Sequence, residues 1–535
     1  MKINSKTIFN YFVFVFFAIG IVFHFYNLNW GSPYYFHPDE RQNVAYPIIE
    51  SNSPLLYDQK NFDIGTFPLI IIKLFYPLVG ELLFGLSDPL AQVITTSRFF
   101  TALLSIGAAL LIFKIAYEYF SKLVGIVSLY LMLFFVGNIQ YSHFGTVEMW
   151  EAFLLTCLLY FSLKISKNPA IITSLLAGLI TALALSTKIL TLVAIPAAVL
   201  SFFPSIRTIK NFKRRFLTLV LFLTTTLLIT FLIMPHAFIS FQNAYPSIKF
   251  ESDVTLGRLP VFYTQGFTGT VPYIFQLTQV YPFLINPLLT FLLLPCLIYS
   301  FYLGFREKSY PHILVGIFFF VVFFFQGHFF AKWARYYIPT LPFASLVLSI
   351  GICSAYSFLS KKRFFPNLFL GIILLITFLY ALIFFVYVYV YRPSQIEASI
   401  WMQKNVSKDS KIIAEPFDLG ISPFHQASNN ITFINLYELD HDQIIQSQLK
   451  ENLSKDTYVV LTSQRILRSR TLSPETFPLS SAFYMNLAEE KGFKKMYQTE
   501  CDTYCKMLYM GNPMLNLEET SSVFDRPIVT IYKRL

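Results

Sequence analysis

Apolar runs of about 20 residues recur along most of this chain, and that recurrence restricts its fold more than any single motif does. A helix that crosses a bilayer needs about 20 mainly apolar residues. The first run, IFNYFVFVFFAIGIVFHFYNL over 8–28, carries no Asp, Glu, Lys or Arg. It is too long for the apolar centre of a signal peptide, and no small-x-small cleavage site follows it, so it reads as a retained span. By the same criterion of about 20 residues, about eleven spans are expected, near 8–28, 95–116, 123–140, 146–163, 170–187, 189–205, 216–234, 285–304, 311–327, 335–356 and 367–391. Composition agrees, because 55% of the 535 residues are hydrophobic and only 13% charged, against about 25% charged in soluble domains.

The short loops between runs set the orientation. Lys2 and Lys6, Lys122, Lys164 and Lys167, the stretch RTIKNFKRR (207–215), Arg306 and Lys308, and Lys361, Lys362 and Arg363 all fall in alternate loops. The positive-inside rule assigns that set to the cytoplasm. It also accounts for most of the net charge of +11, so nucleic-acid binding is not needed to explain it. The opposite set faces outward: 29–94, a turn near 141–146, the turn at Lys188, 235–284, 328–334 and everything after Tyr391. An odd number of spans with the N-terminus inside puts the C-terminus outside. The segment FPLIIIKLFYPLVGELLFG (67–85) lies in the first outer loop and is interrupted by Pro68, Lys73, Pro77 and Glu81. Charge at mid-bilayer is costly, so this segment is expected to lie at the interface rather than to span.

After residue 391 the chain becomes polar and mixed. KIIAEP, TYVVLTS and PIVTIYK read as strands, and SQIEASIWMQKNV as an amphipathic helix. The expected architecture is a polytopic α-helical membrane domain (1–391), with interfacial helices in the first outer loop, followed by a soluble extracytoplasmic α/β domain (392–535). Cys157, Cys296 and Cys353 lie in apolar runs and read as small core residues. Cys501 and Cys505 of CDTYC can bridge if the tail faces an oxidising compartment; a zinc site would need two further ligands, and none stands out.

Ionisable groups gather on the outer side: Asp39 and Glu40 in HPDE, Arg98 at the start of the second span, His143, Glu148 and Glu151, Lys188, the segment YTQGFTGTVPY, and KWARYYIP with Arg335 and Tyr336. Both signs converge there, as binding of an anionic lipid head group and a polar acceptor requires. Each residue also has a purely structural reading. Pro38 fits the first position of a helix, and the carboxylates after it favour the helix dipole. Glu148 and Glu151 open a span in the same way, Lys188 can snorkel, and His37 and His143 fit caps or interfaces better than metal ligands. Adjacent helical residues point about 100° apart, so Asp39 and Glu40 cannot form one acid–base pair, and only one of them can face the chemistry.

Taken in order, these motifs resemble the GT-C membrane glycosyltransferases, and within them the protein O-mannosyltransferase-like branch (glycosyltransferase family 39 and its prokaryotic relatives). HPDE, YSHFGTVEMW, LALSTK, YTQGFTGTVPYIFQL, ARYYIPTLP and, in the tail, ASIWMQKNV and SSVFDRPIVTIYK carry the resemblance. TFPL stands where the family usually has Pro-Pro, and the Gly-Pro that often follows Thr-Lys is missing. The resemblance implies a sugar donor on polyprenyl or dolichyl phosphate and a glycan, lipid or protein acceptor, at the outer face of the cell membrane. It makes Asp39 the catalytic carboxylate, with Glu40 beside it and Glu148 as a second acidic position. It makes Lys188 and Arg335 contacts to the donor phosphate, and it implies substrate-binding roles for Tyr336, Arg98, Tyr263 and Gln265. No cofactor is required, although Asp39 and Glu148 could hold a divalent cation. A lipid or glycan flippase is the competing reading. Against it stand the lack of repeated halves, the lack of paired Gly/Pro-broken helices and the long polar outer loops. A receptor or scaffold would leave the acidic cluster unexplained.

Overall fold

The computed structural model describes residues 5–57, 64–203, 212–259, 261–509 and 520–535. Lys2, the Lys6 side chain and residues 207–211 of the basic loop lie outside the described residues. The chain divides into two compact units. The first comprises Met1–Asn29, Asp39–Leu256 and Val271–Leu382; the second comprises Trp30–Pro38, Gly257–Thr270 and Ile383–Leu535. The tail expected from 392 is therefore part of a larger body, which begins in the last apolar helix and takes in one segment from each of the long stretches 29–94 and 235–284.

The first unit is helical. Among the described residues, eight helices are long and apolar enough to cross a membrane, or nine if a bent pair counts as one span. The bent pair is Lys122–Phe134 with Val136–Ser142, turned by 56°, where the 123–140 reading expected one straight helix. The 170–205 region is also broken. It holds the apolar helix Ile171–Leu185, a 3-10 turn Ile189–Ala194 and the short helix Ile195–Leu200, with Pro196 in the first turn of the last one. Thr66–Leu83 passes the length and hydropathy test as well, so length and composition alone do not separate an interfacial segment from a span there. Burial orders the helices. The helix window in Ala334–Lys361 is 83% buried and that in Phe212–Ile233 only 17%. The former is central, and the latter presents Leu217, Val220, Leu223, Leu227 and Phe231 outward, as a lipid-facing helix does.

The second unit is an α/β domain. Its strands are β1 (Ile412–Ala414), β2 (Ile431–Phe433), β3 (Tyr458–Leu461), β4 (Phe493–Gln498) and β5 (Thr530–Arg534). They form one sheet in the order β2-β1-β3-β5-β4. β1 runs parallel to β2 and β3, and β5 is antiparallel to β3 and β4. The central strands read as unbroken apolar runs, IIA and YVVL, because both of their faces are covered. Ile413, Val459 and Leu461 enter one core with Leu436, Leu467, Tyr484 and Leu487. Ile412, Ala414, Tyr458 and Val460 enter the other, with Ala398, Met402, Phe424 and Ile531. Successive strand side chains point to opposite faces, which is why neighbours part company here. The helix Ser394–Asn405 supplies Ala398 and Met402. β2 is only three residues long and β4 begins FKK; both are edge strands, and neither stands out in the sequence. Cys501 and Cys505 form a disulfide.

Glu415 ends β1. Its Oε2 accepts the Leu436 backbone N–H at 2.9 Å. Burial pushes its carboxyl up from 4.5 to about 8, with Asp418 adding to the rise while the Leu436 N–H and Arg470 oppose it. The folded state thus keeps a proton that the unfolded chain has lost, so the stabilisation is complete below pH 4.5 and fades as the pH rises through about 8. The protection of the β1 amides in the full-length protein, corrected for the intrinsic pH dependence of exchange, is expected to fall over that window, and Glu415→Gln should flatten the dependence. A wild-type-like pH profile in the variant would contradict the assignment.

Candidate active site

The segment after the first apolar helix turns helical at Pro38 and continues as a π-helical stretch Glu40–Ala45. Its first two acids diverge, as adjacent helical residues must. Asp39 Oδ2 meets Arg335 Nη1 at 2.5 Å, and both side chains are partly open, 28% and 25% exposed. Glu40 turns inward. Its two carboxylate oxygens accept from Arg98 Nε at 2.7 Å and Nη2 at 2.6 Å, and Oε1 also accepts the Gly145 N–H at 2.6 Å. Arg98 Nη1 donates to the Leu28 carbonyl at 3.0 Å. Both members of this pair are fully buried. A bidentate guanidinium–carboxylate pair is the strongest geometry available for such a contact. Gly145 is required where it sits, since a Cβ there would lie 2.8 Å from Ser97 Cβ and 3.3 Å from Glu40 Oε1.

The turn at Gly145 leads into the helix Glu148–Lys167. Glu148 Oε1 pairs with Lys188 Nζ at 3.3 Å. Glu151, one turn on, is also buried, and among the described residues its Oε2 has no hydrogen-bonding partner. Lys188 is placed from the other side by a backbone junction. Gly65 N–H donates to the Thr187 carbonyl at 2.9 Å, and Phe67 N–H to the Ser186 carbonyl at 3.0 Å. A Cβ on Gly65 would fall 2.0 Å from the Ser186 oxygen, so only glycine permits this approach.

Tyr336 links the two ion pairs. Lys188 Nζ stands 5.4 Å from the centre of its ring and the Arg335 guanidinium 5.6 Å. The Tyr336 hydroxyl shares a 3.0 Å hydrogen bond with Thr255 Oγ1, and Arg335 also stacks over Trp333 at 4.3 Å. An aromatic face attracts cations, so the ring holds both positive groups toward one place without neutralising either. The result is a compact set of two acids, two bases and one tyrosine, all in the first unit.

Of the residues singled out in the sequence, Asp39, Glu148, Lys188, Arg335 and Tyr336 are joined in this set. Glu40 and Arg98 are adjacent to it in sequence or along a helix, but their side chains are buried and spent on each other. Tyr263 and Gln265 belong to the second unit, on the turn Phe262–Phe267. There Gln265 Oε1 accepts from Arg470, and Phe262 packs against Tyr263, Phe417 and Tyr437. His143 is fully buried, with its ring nitrogens against the Ile139 and Tyr26 carbonyls. His37 packs on Phe524. Sequence reading did not find Gly65, Gly145, Trp333 or Thr255, because each acts through a contact with a distant segment. The two carboxylates offered to a divalent cation are instead paired with Arg335 and Lys188. Among the described residues no group of three or more His, Cys, Asp or Glu side chains could hold a metal ion, and no step below passes through one.

This fold recurs in solved structures. The chain is similar to the archaeal oligosaccharyltransferase AglB from Archaeoglobus fulgidus in complex with an inhibitory peptide and a dolichol-phosphate (TM-score 0.53, 14% identity, 92% of this chain and 73% of that one). It is similar to the Archaeoglobus fulgidus oligosaccharyltransferase tethered to an acceptor peptide containing the NVT sequon (TM-score 0.54, 12% identity, 98% and 88%). It is also similar to ArnT from Cupriavidus metallidurans bound to undecaprenyl phosphate (TM-score 0.50, 14% identity, 97% and 98%). The chain has the GT-C fold. No family sequence model and no curated protein sequence matches it.

Two outcomes test how this GT-C site is held. Arg98→Met alone should cost about 3–5 kcal/mol by stranding the Glu40 charge, whereas Glu40→Met with Arg98→Met should recover part of that loss; thermal unfolding of the purified variants distinguishes the two. Gly65→Ala should weaken any function that depends on Lys188 while leaving the second unit's exchange pattern intact, which hydrogen–deuterium exchange resolves segment by segment.

Proposed function

We propose that this protein is an integral membrane glycosyltransferase that moves a sugar from a polyprenyl- or dolichyl-phosphate donor to an acceptor hydroxyl on the extracytoplasmic face of the membrane, with inversion. The observation that carries the reading is the Asp39–Arg335 pair beside Lys188 and Tyr336: a partly open carboxylate next to two cations aimed at one place. The pattern of basic loops in the sequence supports an extracytoplasmic position for this set. The sequence resemblance is to mannosyltransferase-like enzymes, leaves the transferred sugar open, and implies a glycan, lipid or protein as the acceptor. The GT-C neighbours, solved with dolichol-phosphate and undecaprenyl phosphate, are in keeping with a lipid-phosphate donor.

The chemistry follows from the groups present. The acceptor hydroxyl attacks the anomeric carbon from the side opposite the phosphate, while positive charge grows on the sugar ring. A carboxylate with an ordinary pKa of about 3.9 is a weak base toward a free alcohol. Asp39 therefore takes the proton late, once the attacking oxygen has become acidic through bond formation. The bond to the phosphate oxygen breaks with its electron pair, and Lys188 and Arg335 stabilise the released lipid phosphate. No nucleotide is consumed, because the phosphoester already carries the driving force. Glu148 keeps Lys188 oriented. Glu40 acts one step removed, by fixing through Arg98 the helix that bears Asp39.

Purified protein given a polyprenyl-phosphate mannose and a hydroxylated acceptor should yield glycosylated product and free lipid phosphate in equal amounts. A flippase would release neither. Asp39→Asn should lower turnover by roughly 10²–10⁴-fold with donor binding retained; near-wild-type turnover would remove Asp39 from its role. Lys188→Ala should weaken donor binding by about 1.5–3 kcal/mol, the worth of a hydrogen bond to a charged group, and unchanged donor affinity would exclude it from the phosphate site.

A further inference from the structure

The sheet of the second unit has a topological switch point. β1 lies between β2 and β3, all parallel, so the chain leaves β1 to one side and returns on the other. Open α/β sheets bind ligands just beyond the carboxyl ends of strands at such a point. Here those ends lead into Glu415 after β1, Tyr437 after β2, and Ser463 and the helix Arg465–Thr471 after β3.

That helix carries Arg470, whose side chain is fully buried. Its Nη1 donates to Gln265 Oε1 and its Nη2 to the Tyr437 carbonyl at 2.8 Å. Its flat faces lie against Phe477 at 3.8 Å and Tyr437 at 5.2 Å. Every one of these partners is neutral, and among the described residues no carboxylate lies within ion-pair distance. A buried guanidinium held only by neutral groups is expensive. Among the described residues, Arg470 Nε itself, the Tyr484 hydroxyl and Glu415 Oε1 are buried without a hydrogen-bonding partner. Tyr484 is within electrostatic range of both Arg470 and Glu415. Arg470 and Tyr484 are donors. Asp440 and Glu438 also act on Arg470, but only from beyond ion-pair distance among the described residues, so the donors directly at the site are not neutralised.

The cover is a short turn. Gln265 sits on Phe262–Phe267, which is anchored by Phe262 against Phe417 at 4.7 Å and Tyr437 at 4.5 Å. A Cβ on Gly266 or Gly269 would meet open space, and Gly269 takes a positive φ of 73°, so the side of the turn at these two glycines is uncovered.

We propose that Arg470 anchors an oxyanion-binding site in the second unit, one that takes the carboxylate or phosphate group of a small ligand, and that the Gln265 side-chain oxygen holds the anion's position until it arrives. The site stands apart from the glycosyl-transfer reading and does not depend on it.

The test uses the full-length protein in detergent, titrated separately with inorganic phosphate and with acetate against chloride at matched ionic strength. Melting temperature and hydrogen–deuterium exchange of 262–267 are the readouts. One of the two anions should saturate, raise the melting temperature and speed exchange of the turn, and the arm that saturates at lower concentration identifies the oxyanion. Gln265→Glu puts a carboxylate on Arg470 from within the chain. It should melt higher than wild type and lose at least tenfold of the anion response. Arg470→Gln should lose the response altogether; if it does not fold, Gln265→Glu decides alone. A chloride response equal to that of both anions, a Gln265→Glu variant that melts below wild type, or one that still responds fully to phosphate or acetate would overturn the proposal.

Discussion

The buried contact between Glu40 and Arg98 sets the positions of most of what surrounds it. Through it, one glutamate fixes a guanidinium and the backbone N–H of Gly145, and the arginine in turn fixes the Leu28 carbonyl. Four segments meet at this contact: the end of the first apolar helix, the helix that starts at Pro38, the helix Pro89–Tyr119 and the turn before Glu148. Neither charge could stay buried without the other. The carboxylate of Asp39 and that of Glu148 sit on segments indexed to the same pair, so their separation does not depend on loop conformation.

The candidate catalytic set is arranged on a different principle. Its two ion pairs are more open than the Glu40–Arg98 pair, and its cations share an aromatic face rather than a carboxylate. On the proposed reading, an arriving phosphate competes with Asp39 and Glu148 for Arg335 and Lys188. Partial exposure lowers the cost of that exchange, because water can screen whichever charge is released. Rigid positioning and exchangeable pairing are thus assigned to adjacent residues, Glu40 and Asp39, whose side chains leave the helix in different directions.

Much of this was legible in the chain itself. Run length revealed the helical membrane unit, and the alternation and apolar continuity of KIIAEP, TYVVLTS and PIVTIYK revealed the sheet. The angular separation of neighbouring helical residues already separated Asp39 from Glu40. What the sequence hid was partnership across distance. Arg98 and Glu40 each read as a group free to meet substrate, and nothing local shows that they satisfy one another. Gly65 and Gly145 look like ordinary loop glycines until the backbone of a remote segment is placed against them. The break at Pro196 and the 56° bend after Phe134 escaped notice because hydropathy averages over a window and does not register direction. The edge strands β2 and β4 escaped because a short or lysine-bearing edge lacks the apolar signature of a covered strand.

The second unit is assembled from three pieces of chain that are far apart in sequence: Trp30–Pro38, Gly257–Thr270 and Ile383–Leu535. Trp30 packs on Tyr389, His37 on Phe524, and Gln265 on Arg470. Chains are made from the N-terminus onward, and domains form as their residues become available. The first two pieces are synthesised with the helical unit, and they must wait until Ile383–Leu535 has been made. Completion of this domain therefore follows synthesis of the helical unit. A C-terminal truncation would leave two apolar segments without their cover, and a graft of the tail alone would carry a domain with part of its core missing.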